Sequence, residues 1–413
     1  TSIMGGDGMQ VQIDNRNSNI VYTGYQFGNY FRLSLETKKR TYIQPKHELG
    51  EAPYRFNWQT PILLSSHNQD ILYLGGNKLH RSLNQGDDWT TISNDLTQGG
   101  KKGNVAFGTL TTIAESPAQF GFLYTGSDDG YIHRSENGGG SWDRISDDLP
   151  QDLWVSRVIA SEHQKERVYV TLNGYRNDDF AAYVYVSEDR GISWKSINKN
   201  LPNSPVNVIR EDPNNDQILY LGNDQGVYVS FDQGQKWQPF NKGLTTAAVH
   251  DLVVQPEANH LLVGTHGRSI YKADLAPFQK LNNAFLKQEL ALLDPEKVKH
   301  SKRWGSSYSS WRKVFEPETT FTAFAKTSGA YEMQIKDVKG TVLFSQKGTL
   351  DVGFNFVIYA LEKDANGIKN YNKKNKKLPS KSAKNGTHYL EKGTYSVEFT
   401  KGTIKRKKEL HIQ

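Results

Sequence analysis

The chain has 413 residues, 11% of them aromatic, no cysteine and a formal net charge of +7. Its length allows two or three domains. The lack of cysteine excludes a disulfide-built scaffold, and no apolar run reaches the 18 residues a membrane helix needs.

Taken in chain order, the sequence repeats itself. The first unit, residues 9–45, holds two apolar strands around a glycine turn, IVYTGYQFGNYFRLS. The second, 58–95, reads ILYLGGNKLHRS and closes on SLNQGDDW. The third, 107–148, reads FLYTGSDDGYIHRS and closes on SENGGGSW. The fourth, 152–198, closes on SEDRGISW, and the fifth, 205–240, reads ILYLGNDQGVYVS and closes on SFDQGQKW. A sixth, 246–275, carries LLVGTHGRSIYKADL without the closing turn. The closing turns share Ser-x-Asp/Asn-x-Gly-x-x-Trp and start 53, 52 and 43 residues apart. A period of this size signals a propeller or a solenoid.

Each residue type in the turn has a physical reason. Asn84, Asn137, Asp189 and Asp232 are placed to accept hydrogen bonds from backbone N–H groups ahead of them. Gly86, Gly139, Gly191 and Gly234 suit a positive φ. Trp89, Trp142, Trp194 and Trp237 offer apolar surface to a neighbouring sheet. Ser82, Ser135, Ser187 and Ser230 end the preceding strands. These are structural residues, which speak to architecture and are silent about chemistry. Four short strands per unit predict an all-β propeller of at least six four-stranded blades over residues 1–275.

This organisation resembles the BNR/Asp-box β-propellers, a group that includes sialidases, xyloglucanase-type glycoside hydrolases and the sortilin (VPS10) ectodomain. GGDGMQVQID, LNGYRNDDFAAYVYVSEDRGISW and VHDLVVQPEANHLLVGTHGRSIY carry the likeness. The resemblance implies a bacterial protein, exported to the periplasm, outer membrane or cell surface. It also implies a binding module for a glycan, peptide or partner protein, or a glycoside hydrolase. Blades preceding Thr1 are expected to complete the ring, because a propeller closes to remove its sheet edges.

Beyond the propeller, residues 276–313 read as a linker, with one short helix expected within 280–296 and ended by Pro295. Residues 314–413 alternate again and predict an antiparallel β-sandwich, similar to the immunoglobulin-like or FlgD-like modules of exported bacterial proteins. Within it, the Lys/Asn-rich stretch 363–387 reads as a mobile loop. From residue 276 onward there are 26 Lys and Arg against 13 Asp and Glu, so the net charge is about +13 there and about −6 before it. The lysine runs NKKNKK and KRKK lack interleaved aromatics, so nucleic acid is not an expected partner.

Blade entries and the turns between second and third strands share one face of a propeller, and function lives there. The fourth-unit turn, residues 173–181, is longer than its counterparts. Tyr175, Arg176, Asp178 and Asp179 are therefore ligand-binding candidates. Asp224, His266 and Arg268 come from equivalent turns, and Trp154, Arg157 and His250 from blade entries. If the chain is an enzyme, the carboxylates are drawn from Asp7, Asp178, Asp179 and Asp224. No metal-ligand spacing or phosphate-cradling loop is present, so neither metal nor cofactor is expected.

Overall fold

Hydrophobic alternation and glycine turns build the sheets as the repeat predicts. The computed structural model describes every residue except Thr1, Asn104, Lys242, Lys280, Asn282 and Ser310. The chain divides into two compact units, Thr1–Leu275 and Ala276–Gln413.

The first unit is a β-propeller of six consecutive antiparallel sheets. The fourth blade shows the pattern: Trp154–Ala160, Val168–Asn173, Tyr183–Ser187 and Lys195–Ser196 pair in chain order. Five blades have four strands. The sixth, Val249–Gln255, His260–Thr265 and Ile270–Asp274, has three, which corrects the expectation of four. No Ser-x-Asp/Asn-x-Gly-x-x-Trp turn follows its third strand, so nothing there returns the chain for another.

The core lies in the seams between blades. Tyr169, Val184 and Val186 of the fourth blade pack with Ile209, Leu219 and Leu221 of the fifth. Tyr22 and Tyr30 of the first meet Ile62, Leu72 and Leu74 of the second. One face of each second strand presents a fully buried tyrosine to the next blade: Tyr22, Tyr73, Tyr124, Tyr169 and Tyr220. Two residues on stands a glycine in the first, second, third and fifth blades and Thr171 in the fourth; in the fifth the next blade comes close, and a Cβ on Gly222 would lie 2.6 Å from Val249 Cγ1. At the sixth blade the tyrosine position is Leu262 and the glycine is Gly264. A Cβ on Gly264 would meet nothing nearer than 3.6 Å, from its own blade. Val253, Leu262 and Ile270 on that face are 47%, 37% and 76% exposed.

The four turns join third to fourth strands, as their motif predicts. In each, the serine Oγ accepts from the glycine N–H, at 2.8, 2.9, 2.7 and 2.8 Å for Ser82, Ser135, Ser187 and Ser230. The Asn or Asp side chain accepts the N–H four residues on, at 2.8–2.9 Å. The glycines and the residues before them all have positive φ, as with Gly191 at 89° and Arg190 at 65°.

The tryptophans do more than fill space. Trp142, Trp194 and Trp237 each donate Nε1–H to a backbone carbonyl of the preceding blade, that of Ile92, Ile145 and Ile197. Each of those isoleucines lies three residues beyond the preceding tryptophan, so the second, third and fourth turns each anchor on the one before. The Trp89 Nε1 is buried with no partner among the described residues. Trp237 is fully buried, whereas Trp89, Trp142 and Trp194 are half-buried, so the apolar surface they offer is only partly covered.

The second unit has two sheets around one core. Leu290–Leu292, Thr319–Ala325 and Gly353–Tyr359 form one, and Val342–Leu350, Gly329–Lys336, Gly393–Lys401 and Ile404–Ile412 the other. Phe321, Met333, Val357 and Phe399 meet between them. The stretch read as linker enters this unit through the strand Leu290–Leu292. Two short helices, Ala276–Gln279 and Asn283–Leu286, precede that strand in place of the single helix expected. The stretch read as a loop contains the helix Ala365–Lys374, started by Asp364, whose carboxylate accepts from Gly367 N at 2.7 Å. No helix among the described residues is long and apolar enough to cross a membrane.

Candidate functional site

The innermost strands and the turns after second strands converge on one cavity of about 440 Å³ at the propeller axis. All six blades or their entries contribute. Gln10, Gln59 and Thr111 come from the first three. Trp154, Arg157, Tyr175 and Arg176 come from the fourth, Asn207 and Asp224 from the fifth, and His250, Asp251 and His266 from the sixth. A second cavity of about 250 Å³ shares Gln10 and Arg157 and adds Arg210 and Glu162, so the two meet along the axis.

The inserted turn folds as a single helical turn, Tyr175–Asn177. Tyr175 N–H donates to Asn173 Oδ1 at 2.9 Å. The turn lays the Arg176 guanidinium over the Trp154 ring, 3.9 Å from its centroid, a cation–π contact. Arg176 makes no hydrogen bond or ion pair with the described residues. Its outer face is open to solvent, while the wall behind it desolvates the charge and lowers its pKa. Tyr175 and Phe180 are exposed and meet edge to face at 6.2 Å.

Deeper in, Arg157 Nη2 lies 2.8 Å and Arg210 Nη2 3.5 Å from the same oxygen of Asp251. Two guanidiniums thus share one carboxylate. Burial, and then the charge of Arg157, push the Arg210 pKa down to about 10. Arg157 Nε is buried without a hydrogen-bond partner among the described residues. The rings of His250 and His266 are 5.3 Å apart. Desolvation by the funnel wall, then the charge of His266, hold His250 below its ordinary pKa. Asp224 accepts from Asn207 Nδ2 at 2.8 Å.

Of the residues expected from the sequence, Tyr175, Arg176, Trp154, Arg157, Asp224, His250 and His266 share this cavity. Asp7, Asp178, Asp179 and Arg268 do not line it. Asp7 accepts from Gln26 Nε2 on an exposed surface. Asp179 turns back into its own loop, where it accepts the Tyr183 hydroxyl at 2.7 Å and Ala181 N–H at 3.0 Å. Asp178 ends the helical turn with φ 56°, a left-handed position that Asp tolerates. The paired acids therefore shape the loop. Gln10, Gln59, Asn207 and Asp251 were missed, since single polar residues at blade entries carry no motif. Among the described residues no group of three His, Cys, Asp or Glu is arranged to hold a metal ion.

The fold and this cavity define a β-propeller with a polar axial funnel. A family model described as "Sortilin, neurotensin receptor 3" matches residues 182–284. No curated protein sequence matches the chain. Among solved structures, the chain is similar to the GH74 xyloglucanase from Xanthomonas campestris, at 16% identity over 70% of this chain and 49% of that one, with TM-score 0.48. It is also similar to a GH74 enzyme from Niastella koreensis, at 13% identity over 97% of this chain and 65% of that one, TM-score 0.49. YCF48 from Cyanidioschyzon merolae matches at 10% identity over 65% of this chain and 92% of that one, TM-score 0.40. The chain spans about half the length of the xyloglucanase.

Proposed function

We propose that this chain is a ligand-binding propeller that takes a glycan or peptide in its axial funnel and performs no catalysis by itself. The state of the funnel carboxylates carries the reading. A glycoside hydrolase needs two carboxyl groups across the bond, about 5 Å apart for retention or about 6.5–9.5 Å for inversion. Asp251 is occupied by two arginines, and Asp178 and Asp179 belong to their loop. Among the described residues, Asp224 is then the one carboxylate lining this cavity whose side chain is held by a neutral amide alone. The sortilin model supports the same reading, because its description is that of a receptor and its matched residues 182–284 include Asp224, His250 and His266.

The serine–glycine turns are, in this reading, Asp-boxes of the BNR kind, and the second unit is an immunoglobulin-like module. The protein acts, in the same reading, after export, at the cell surface or in the periplasm, a reading that rests on the likeness of its turns to Asp-boxes. The uncovered face at Val253, Leu262 and Ile270 is where a further blade or a partner protein docks. A glycoside hydrolase is the second reading, favoured by Asp224 standing beside His250 in the funnel. An array of polysaccharides and peptides, read for retention and for released product, separates the two.

A further inference from the structure

We propose that the funnel ligand is an acidic glycan, a chain of hexuronic acid units whose carboxylate is read by Arg176. This deepens the binding reading above and rests on it. The first observation is charge. Arg176 is fixed over Trp154, faces the cavity and has no carboxylate partner among the described residues. A guanidinium held in one plane presents a fork that matches a carboxylate. At the axis, Arg157 and Arg210 meet Asp251, with Glu162 also acting on Arg210, and Arg157 Nε makes no hydrogen bond with the described residues. The unpaired guanidinium at the mouth attracts an anion there.

The second observation selects a sugar over a peptide. The groups left available to a ligand are Gln59, Asp224, His250 and His266, which exchange hydrogen bonds with hydroxyls. Apolar lining is confined to Trp154, Tyr175 and Ala248, too little to seat a row of side chains. Tyr175 stands exposed at the mouth beside Phe180, as a platform for a pyranose ring.

Calorimetric titration of the full chain with galacturonic acid hexamer and with its methyl ester tests this, since the ester keeps the sugar hydroxyls and replaces each charge with a neutral methyl ester. The acid is expected to bind at least tenfold tighter than the ester. Arg176→Gln is expected to remove that difference by weakening the acid to the level of the ester. Equal affinity for acid and ester overturns the inference and leaves glycan binding standing. A difference that survives Arg176→Gln also overturns it. Binding of a hexapeptide acid but of neither sugar overturns the inference and keeps the funnel as a binding site. Failure of all three probes overturns the inference together with the funnel reading.

Discussion

The Tyr169 hydroxyl donates to Glu211 Oε1 at 3.0 Å across the seam between the fourth and fifth blades. The other oxygen of that buried carboxylate accepts Ser161 Oγ and Glu162 N–H, both at 2.7 Å. The same constellation recurs between the second and third blades, where Tyr73 donates to Glu115 at 3.0 Å and Ser65 at 2.6 Å. Tyr124, between them in the chain, has a buried hydroxyl with no partner among the described residues. Where Glu115 and Glu211 stand on their blades, the fourth blade places Ala160.

This contrast gives a paired prediction. Tyr169→Phe removes a bond to a buried carboxylate and is expected to cost about 1.5–3 kcal/mol. Tyr124→Phe removes an unpaired hydroxyl and is expected to be neutral or stabilising by up to about 1 kcal/mol. Urea unfolding of the two variants beside the parent chain decides. Equal destabilisation would show that the tyrosine ring, not the seam bond, carries the effect.

The tryptophans are expected to rank by burial. Trp237→Ala empties a fully buried site and loses the bond to the Ile197 carbonyl, at roughly 3–5 kcal/mol. Trp142→Ala loses a half-buried ring and the bond to Ile92, at roughly 2 kcal/mol. The measurement is again the unfolding midpoint, and a Trp142 variant as unstable as the Trp237 variant would refute the ranking.

Acid is expected to weaken the propeller through two histidines at one repeat position. His80 and His133 stand two residues before Ser82 and Ser135, and burial holds each near pKa 4. The unfolded chain has them near 6.5. Between those values the unfolded state binds more protons, so stability is full above about pH 6.5 and falls as pH drops toward 4. The loss reaches about 3 kcal/mol for the fully buried His80. The fourth and fifth blades place Tyr185 and Tyr228 at this position. His80→Tyr with His133→Tyr is expected to flatten the thermal midpoint between pH 7 and 5; an unchanged slope would count against the histidines.

The turn chemistry was legible because its bonds are local. Asn84, Asn137, Asp189 and Asp232 reach four residues ahead, and a sequence window contains both ends. The seams were not, because Tyr169 and Glu211 lie 42 residues apart and Trp142 anchors 50 residues back. A recurring Trp-x-x-Ile was the available signal. The funnel was legible in part: the position of a turn in the repeat predicts which face it joins. It does not predict where a side chain points, so Asp178 and Asp179 read as ligands although they hold their own loop. The helix Ala365–Lys374 was hidden by its lysine and asparagine content, and its start at Asp364 was the cue.

The loop assignment makes its own prediction. Asp179→Ala frees the Tyr183 hydroxyl and Ala181 N–H and is expected to cost about 1–2 kcal/mol and loosen residues 173–181. Asp178→Ala is expected to leave ligand affinity unchanged, because its side chain does not line the cavity. Hydrogen exchange over the loop checks the first. A Kd that shifts more than threefold in Asp178→Ala would return that residue to the site.

Binding without turnover is the central claim, and one measurement addresses it most directly. The chain is incubated with each polysaccharide or peptide it retains on an array, and the supernatant is assayed for new reducing ends and new amino termini. The account predicts retention of at least one ligand, with product no higher than in a control lacking protein. Product that accumulates with time and disappears in Asp224→Asn would contradict it and make the funnel an active site.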